Sequence, residues 1–178
     1  RFEAEISQNP DDDGLRIGDK RLAYGRGGVD SAAFLVSFNA GEYLRPLERV
    51  ASGGETSRFL LALKSVLASA DAMPTLVFDE VDVGVGARSG MVVGERLHDL
   101  SRDHQVISIT HLPQIAALAD HHVAVRKKTS GDRTGVDVRW LESNDRVHEI
   151  AHMMSGNASQ AALRSAEELL ERAGRSIS

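Results

Sequence analysis

The first part of the chain carries the two-residue period of strands. Phe2, Ala4 and Ile6 alternate with polar neighbours over residues 1–7, which predicts a half-buried strand. Residues 9–14 (N-P-D-D-D-G) read as a turn cluster, residues 15–24 as a weaker extended stretch, and Arg26-Gly-Gly28 as a break. Residues 33–38 form a continuous apolar run of strand length. The chain then turns at residues 39–42, and residues 45–48 lead into a loop.

From Ser57 the period changes. Phe59, Leu60, Leu63, Val66 and Leu67 recur at helical spacing, predicting a helix that ends near Ala70, before Pro74. Next come a buried strand at 75–78, a helix over 87–101, a second buried strand at 105–109 and a helix over 113–119. Strands at 122–126 and 136–140 follow, joined by a polar loop at 129–134. Helices over 145–154 and 158–173 close the pattern. Alternating strands and helices in the middle predict an α/β fold with a largely parallel sheet, flanking helices and extra, more antiparallel strands at the N-terminal end.

Composition narrows the functional classes. The 178 residues are enough for one domain with a core. At 4% aromatic residues there are few platforms for stacking bases, and a net charge of −5 argues against a dominant phosphate-binding surface. The absence of cysteine removes disulfide scaffolds, thiolate metal sites and Cys nucleophiles, and suits a reducing compartment. No stretch approaches the ~20 apolar residues of a membrane span, and no secretory leader is visible. Arg1 in place of an initiator Met reads as a segment of a longer protein.

Three features carry chemistry. Thr75-Leu-Val-Phe-Asp-Glu80 is an apolar strand ending in adjacent carboxylates, at the sheet edge where open α/β folds bind ligands. Asp79 suits water-mediated Mg²⁺ binding and Glu80 the activation of a water, although D-E after a strand is also a common solvated loop start. Ala51-Ser-Gly-Gly-Glu55 opens a helix with exposed backbone N–H groups suited to phosphate, or serves merely as a flexible cap. His111 follows the next strand and falls on the same edge as Asp79 and Glu80. No G-x-x-x-x-G-K-[ST] loop occurs, so the chain alone lacks a cradle for the inner phosphates of a nucleotide.

In this order and spacing, S-G-G-E, the D-E strand and T-H resemble the signature motif, Walker B strand and switch histidine of an ABC-type ATPase head. The longer runs at 50–58 (V-A-S-G-G-E-T-S-R), 76–86 (L-V-F-D-E-V-D-V-G-V-G) and 110–117 (T-H-L-P-Q-I-A-A) are similar to the RecN family of SMC-like ATPases in bacterial DNA repair. The resemblance implies that residues 1–178 are the C-terminal lobe of such a head. Strands would occupy 1–38, the signature helix, Walker B strand and switch histidine 50–120, and further strands and helices 121–175. The P-loop lobe and a coiled coil would lie elsewhere. It further implies ATP and Mg²⁺ as cofactors, Asp79 as the Mg²⁺-supporting acid, Glu80 as the catalytic base and His111 on the γ-phosphate or the attacking water. Ser52, Gly53, Gly54 and Glu55 would meet nucleotide held by a second head, and Asp82 would lie in the loop that speaks across that interface. The implied partners are the N-terminal lobe, a second copy of the protein and DNA, in the bacterial cytoplasm at the nucleoid and away from membranes. Two departures are Gly86, where many heads carry an acid, and Thr56, where Leu is common.

Competing readings are weaker. His148-Glu-Ile-Ala-His152 matches the H-E-x-x-H zinc-peptidase helix, but the extended form of that motif fails at Ser155. An ABC head from another machine is disfavoured by the D-E-V-D-V-G-V-G and H-L-P-Q-I runs. Residues 9–20 begin like a calcium loop but place Lys20 where a bidentate acid is needed. His121 and His122, with no acid in view, read as surface residues, and Arg126-Lys-Lys128 as a solvated strand end.

Overall fold

The structure is a computed structural model that describes residues 1–38, 41–49, 53–68, 73–130 and 133–174. Ser52, the turn residues Asn39 and Ala40, the expected helix end near Ala70 and residues 175–178 lie outside these. The chain divides into two compact units, residues 1–56 and 57–178.

In the first unit β1 (Phe2–Gln8) pairs antiparallel with β4 (Asp30–Val36), which also pairs with the short β5 (Arg45–Pro46). A separate ribbon joins β2 (Pro10–Ile17) to β3 (Lys20–Leu22) around Gly18, whose φ of +61° favours glycine. Two sequence expectations change here. The acidic run at 11–13 lies within β2 rather than in a turn, carried between Pro10 and Leu15, both of which pair with Leu22 of β3. It occupies the irregular stretch of register between Pro10 and Leu15, where the Asp13 N–H donates to Asp11 Oδ1 at 3.0 Å. β1 alternates as expected but is exposed along its whole length rather than half-buried. Phe2 meets Phe34 at a ring separation of 5.4 Å, yet stays 52% exposed, since a sheet face is buried only by a second layer.

Most of α1 (Gly53–Leu67) belongs to the second unit, where Leu61 enters the core. β6 (Thr75–Phe78) and β7 (Gln105–Ser108) pair in parallel, Phe78 opposite Ser108, with α2 (Ala87–Leu100) crossing between them. α3 (Pro113–Leu118) leads to a hairpin of β8 (His122–Ser130) and β9 (Arg133–Leu141), and then to α4 (Ser143–Ser155) and α5 (Gln160–Arg172). Among the described residues, parallel pairing is confined to β6 and β7. The hairpin strands extend to a Ser130–Arg133 pairing, so the loop expected at 129–134 is shorter than its polar composition suggests.

Leu76 and Phe78 point from β6 into one core with Val81, Leu97, Leu100 and Ile115. Val77, Ile107 and Ile109 are apolar and exposed, so both faces of the parallel pair are hydrophobic, as in sheets covered on two sides. A second core joins Ala116 and Ala117 of α3 to Ile150 of α4 and Ala166 and Leu170 of α5.

Two devices hold α3 in place. Gly90 and Gly94 let α2 approach it closely: a Cβ on Gly94 would lie 2.7 Å from Leu118 Cδ1 and 3.3 Å from Ile115 Cα. At its other end, Arg146 of α4 donates from Nη2 to the carbonyls of Ala116, Ala117 and Ala119 at 2.6–3.0 Å, satisfying the end of α3 and opposing its dipole. Among the described residues no helix is long and apolar enough to cross a membrane.

Candidate nucleotide site

β6 and β7 end side by side, because the Ile109 N–H continues the ladder onto the Phe78 carbonyl at 2.9 Å. Asp79-Glu80 and Thr110-His111 therefore leave the sheet at one edge. Asp79, Glu80 and His111 are exposed there. Parallel pairing makes this convergence a matter of register rather than of long side chains reaching across.

The chain reverses sharply after β6. Val81 is fully buried in the core, and Glu80 adopts φ +59°, the only positive φ at a non-glycine among the described residues. The Glu80 N–H donates to Asp79 Oδ1 at 2.9 Å, and the Val83 N–H to the Glu80 carbonyl at 3.1 Å, which closes the turn. Left-handed backbone at a bulky residue is costly and tends to mark functional sites. α1 braces this turn: Ser57 Oγ donates to the Asp79 carbonyl at 2.8 Å and Arg58 Nη1 to the Val83 carbonyl at 2.7 Å.

Asp82 opens a loop that exposes Val83 and Gly84, while its own carboxylate is turned inward, with a side chain 3% exposed. Oδ2 accepts from Thr110 Oγ1 at 2.5 Å, the His111 N–H at 2.8 Å and His111 Nδ1 at 3.0 Å. Burial alone would push this carboxyl up. The Thr110 hydroxyl, the His111 N–H and the imidazole charge together reverse that, leaving it below the ordinary value. Thr110 in turn accepts the Leu112 N–H at 3.0 Å.

The structure thus brings Asp79, Glu80, Asp82 and His111 together. Gly53, Gly54 and Glu55 form the first turn of α1 in the other unit, with Gly53 exposed, Gly54 buried and Glu55 half-buried. Ser57, Arg58 and Thr110 are site residues that motif reading passed over. Their roles rest on backbone carbonyls and on a buried acid, which leave no mark in a one-dimensional pattern.

The zinc-peptidase arrangement is not present. Among the described residues no group of three His, Cys, Asp or Glu could hold a metal. His148 and His152 are exposed on α4, while Glu149 is committed to Arg126 of β8. Arg126, Lys127 and Lys128 are exposed as expected but lie within β8 rather than at its end, and Lys128 is 3.4 Å from Asp137. His122 is half-buried, not a surface residue. Burial first, then the Arg146 charge, pulls its pKa down, opposed by Glu149. Its neighbour His121 stacks edge-on against Trp140 at 5.7 Å.

Comparison with solved structures shows what the fold resembles. The Smc head domain with coiled coil and joint from Pyrococcus yayanosii aligns with 98% of this chain and 26% of its own, at TM-score 0.50 and 20% identity. The chain therefore has the fold of an Smc head domain. No family model matches it. It is 43% identical over 174 residues to the DNA repair protein RecN of Streptomyces coelicolor, covering 97% of this chain and 30% of that protein. Identity to RecN of Treponema pallidum is 50% over 148 residues (83% of this chain, 26% of that protein), and to RecN of Deinococcus radiodurans 49% over 143 residues (80% and 25%). Over most of its own length the sequence is thus similar to RecN proteins, and the chain spans between a quarter and a third of the length of these curated relatives.

Proposed function

We propose that this chain is the Walker B-bearing C-terminal lobe of an ATP-hydrolysing head in a RecN-like SMC protein, acting in bacterial recombinational DNA repair. The observation that carries this reading is the delivery of Asp79, Glu80 and His111 to one sheet edge by the paired ends of β6 and β7.

Asp79 fits the supporting role for Mg²⁺, since this ion is typically held by one or two carboxylates, substrate phosphates and water. Bound there, Mg²⁺ would neutralise charge on the β- and γ-phosphates. Glu80 accepts a proton from water as the water oxygen bonds to the γ-phosphorus and the bond to the leaving ADP oxygen breaks. His111 orients that water or the γ-phosphate. The P-loop comes from an N-terminal lobe of the same protein. Ser52, Gly53, Gly54 and Glu55 meet nucleotide on a second head, so ATP is sandwiched in a dimer that opens and closes on DNA in the cytoplasm. Exposed Val77, Ile107 and Ile109 support packing against that N-terminal lobe.

Steady-state turnover of the full-length protein tests this, wild type beside Glu80→Gln and Ser52→Arg. Glu80→Gln should abolish hydrolysis, keep ATP binding and accumulate an ATP-dependent dimer. Ser52→Arg should abolish turnover while sparing binding. Unchanged turnover in Glu80→Gln would remove Glu80 from the mechanism.

A further inference from the structure

We infer that Asp82 is the positioning residue for His111, fixing its tautomer and ring orientation from beneath through the three contacts of its buried carboxylate. The inference rests on the hydrolytic reading above and gives the acid a role within its own lobe.

The chemistry of the donors dictates the tautomer. An ionised carboxylate can only accept hydrogen bonds, so the Thr110 hydroxyl, the His111 N–H and His111 Nδ1 must all present hydrogens to it. His111 therefore carries its proton on Nδ1, and when neutral keeps its lone pair on Nε2. The ring is 69% exposed, whereas the acid beneath it is almost completely enclosed. One partner is thus held rigidly and the other is presented to the site. Thr110 adds direction: its hydroxyl hydrogen is committed to Asp82, and its oxygen accepts the Leu112 N–H at 3.0 Å, which fixes the backbone on both sides of His111.

The same carboxylate starts the loop that follows Glu80, and the Val85 N–H donates to the Asp82 carbonyl at 3.0 Å. Asp82 thereby ties the segment bearing the base to the segment bearing the imidazole. Partners that orient a functional histidine through its far nitrogen commonly change function about 10–100-fold when removed.

The test uses full-length protein with ¹⁵N-labelled histidine, the His111 resonances being assigned by their loss in His111→Ala. Long-range ¹H–¹⁵N spectra should show His111 as the Nδ1–H tautomer in the wild type, with Nε2–H gaining population in Asp82→Asn, whose amide can donate to Nδ1. Asp82→Asn should lower kcat about 10–100-fold while KM for ATP moves less than about twofold. In a His111→Ala background the same change should cost nothing further, because residues acting as one unit are non-additive. A wild-type Nε2–H tautomer, or losses that multiply in the double variant, would overturn the inference, and the wild-type spectrum decides even if Asp82→Asn does not fold. Absence of ATP turnover in the wild type would instead sink the hydrolytic reading, leaving the spectra to decide the Asp82–His111 relationship.

Discussion

Arg58 reaches from α1 to the carbonyl of Val83, 2.7 Å away, and so ties that helix to the turn that follows Glu80. The same Nη1 lies 3.4 Å from the Val81 carbonyl. Two carbonyls of a tight reversal are thereby satisfied by one side chain on a different element.

Arg58→Ala should cost about 1 kcal/mol after allowing for its partial exposure, and it should loosen the turn locally. Amide hydrogen exchange at Val83 and Val85 is the direct readout, with faster exchange there than in β7. Arg58→Lys should recover only part of the protection, because a point charge does not reproduce the guanidinium fork. Unchanged exchange in Arg58→Ala would show that the turn holds itself.

Glu80 reverses the usual order of helix-type substitutions. Its φ of +59° places a Cβ where L-residues are strained by about 1–2 kcal/mol. Glu80→Gly should therefore be more stable than Glu80→Ala by about 1 kcal/mol, although glycine is normally the poorer choice. Equilibrium denaturation of the two variants decides it, and Ala equal to or above Gly would refute the strain.

Gly94 is expected to tolerate nothing larger. An added Cβ meets Leu118 Cδ1, which can swing aside, and the Ile115 Cα, which cannot. Gly94→Ala should lose about 1–3 kcal/mol as an overpacked contact. Gly84, whose would-be Cβ meets nothing within 4 Å, provides the contrast. A substitution there should act through its φ of +73° alone. Thermal melts that rank the two equally would argue against tight packing of α2 on α3.

Acid should weaken the fold in two ranges. The Asp82 carboxyl lies below its ordinary 3.8, so the unfolded chain takes up that proton first. The stability it contributes is complete above about pH 4 and is lost as the pH falls further. His122 lies below its ordinary 6.5 because burial and Arg146 disfavour its charge, so the unfolded chain binds that proton first as well. Stability should begin to fall below about pH 6.5. In denaturation series across pH, His122→Gln should flatten the slope between about pH 7 and 5, and Asp82→Asn only the slope below about pH 4.

Much of this was legible before any coordinates. The helices and the two buried strands announce themselves by period, and D-E with T-H after successive strands places Asp79, Glu80 and His111 at one edge. Other parts follow from pairing, which a linear pattern does not show. β2 carries three consecutive aspartates between residues that pair with β3. His122 is half-buried and feels the charges of Arg146 and Glu149, which arrive from α4 about 25 residues later. Asp82 reads as a loop acid until the fold sets Thr110 and His111 against it.

The missing side chains at Gly90 and Gly94 carry a mechanical meaning. α2 begins directly after the loop that leaves Glu80, and α3 begins directly after His111. With no Cβ on those glycines and Arg146 gripping the far end of α3, the two helices have little room to slide past one another. They form a stiff yoke, so any force that shifts the loop after Glu80 carries His111 with it, and the two side chains move as one.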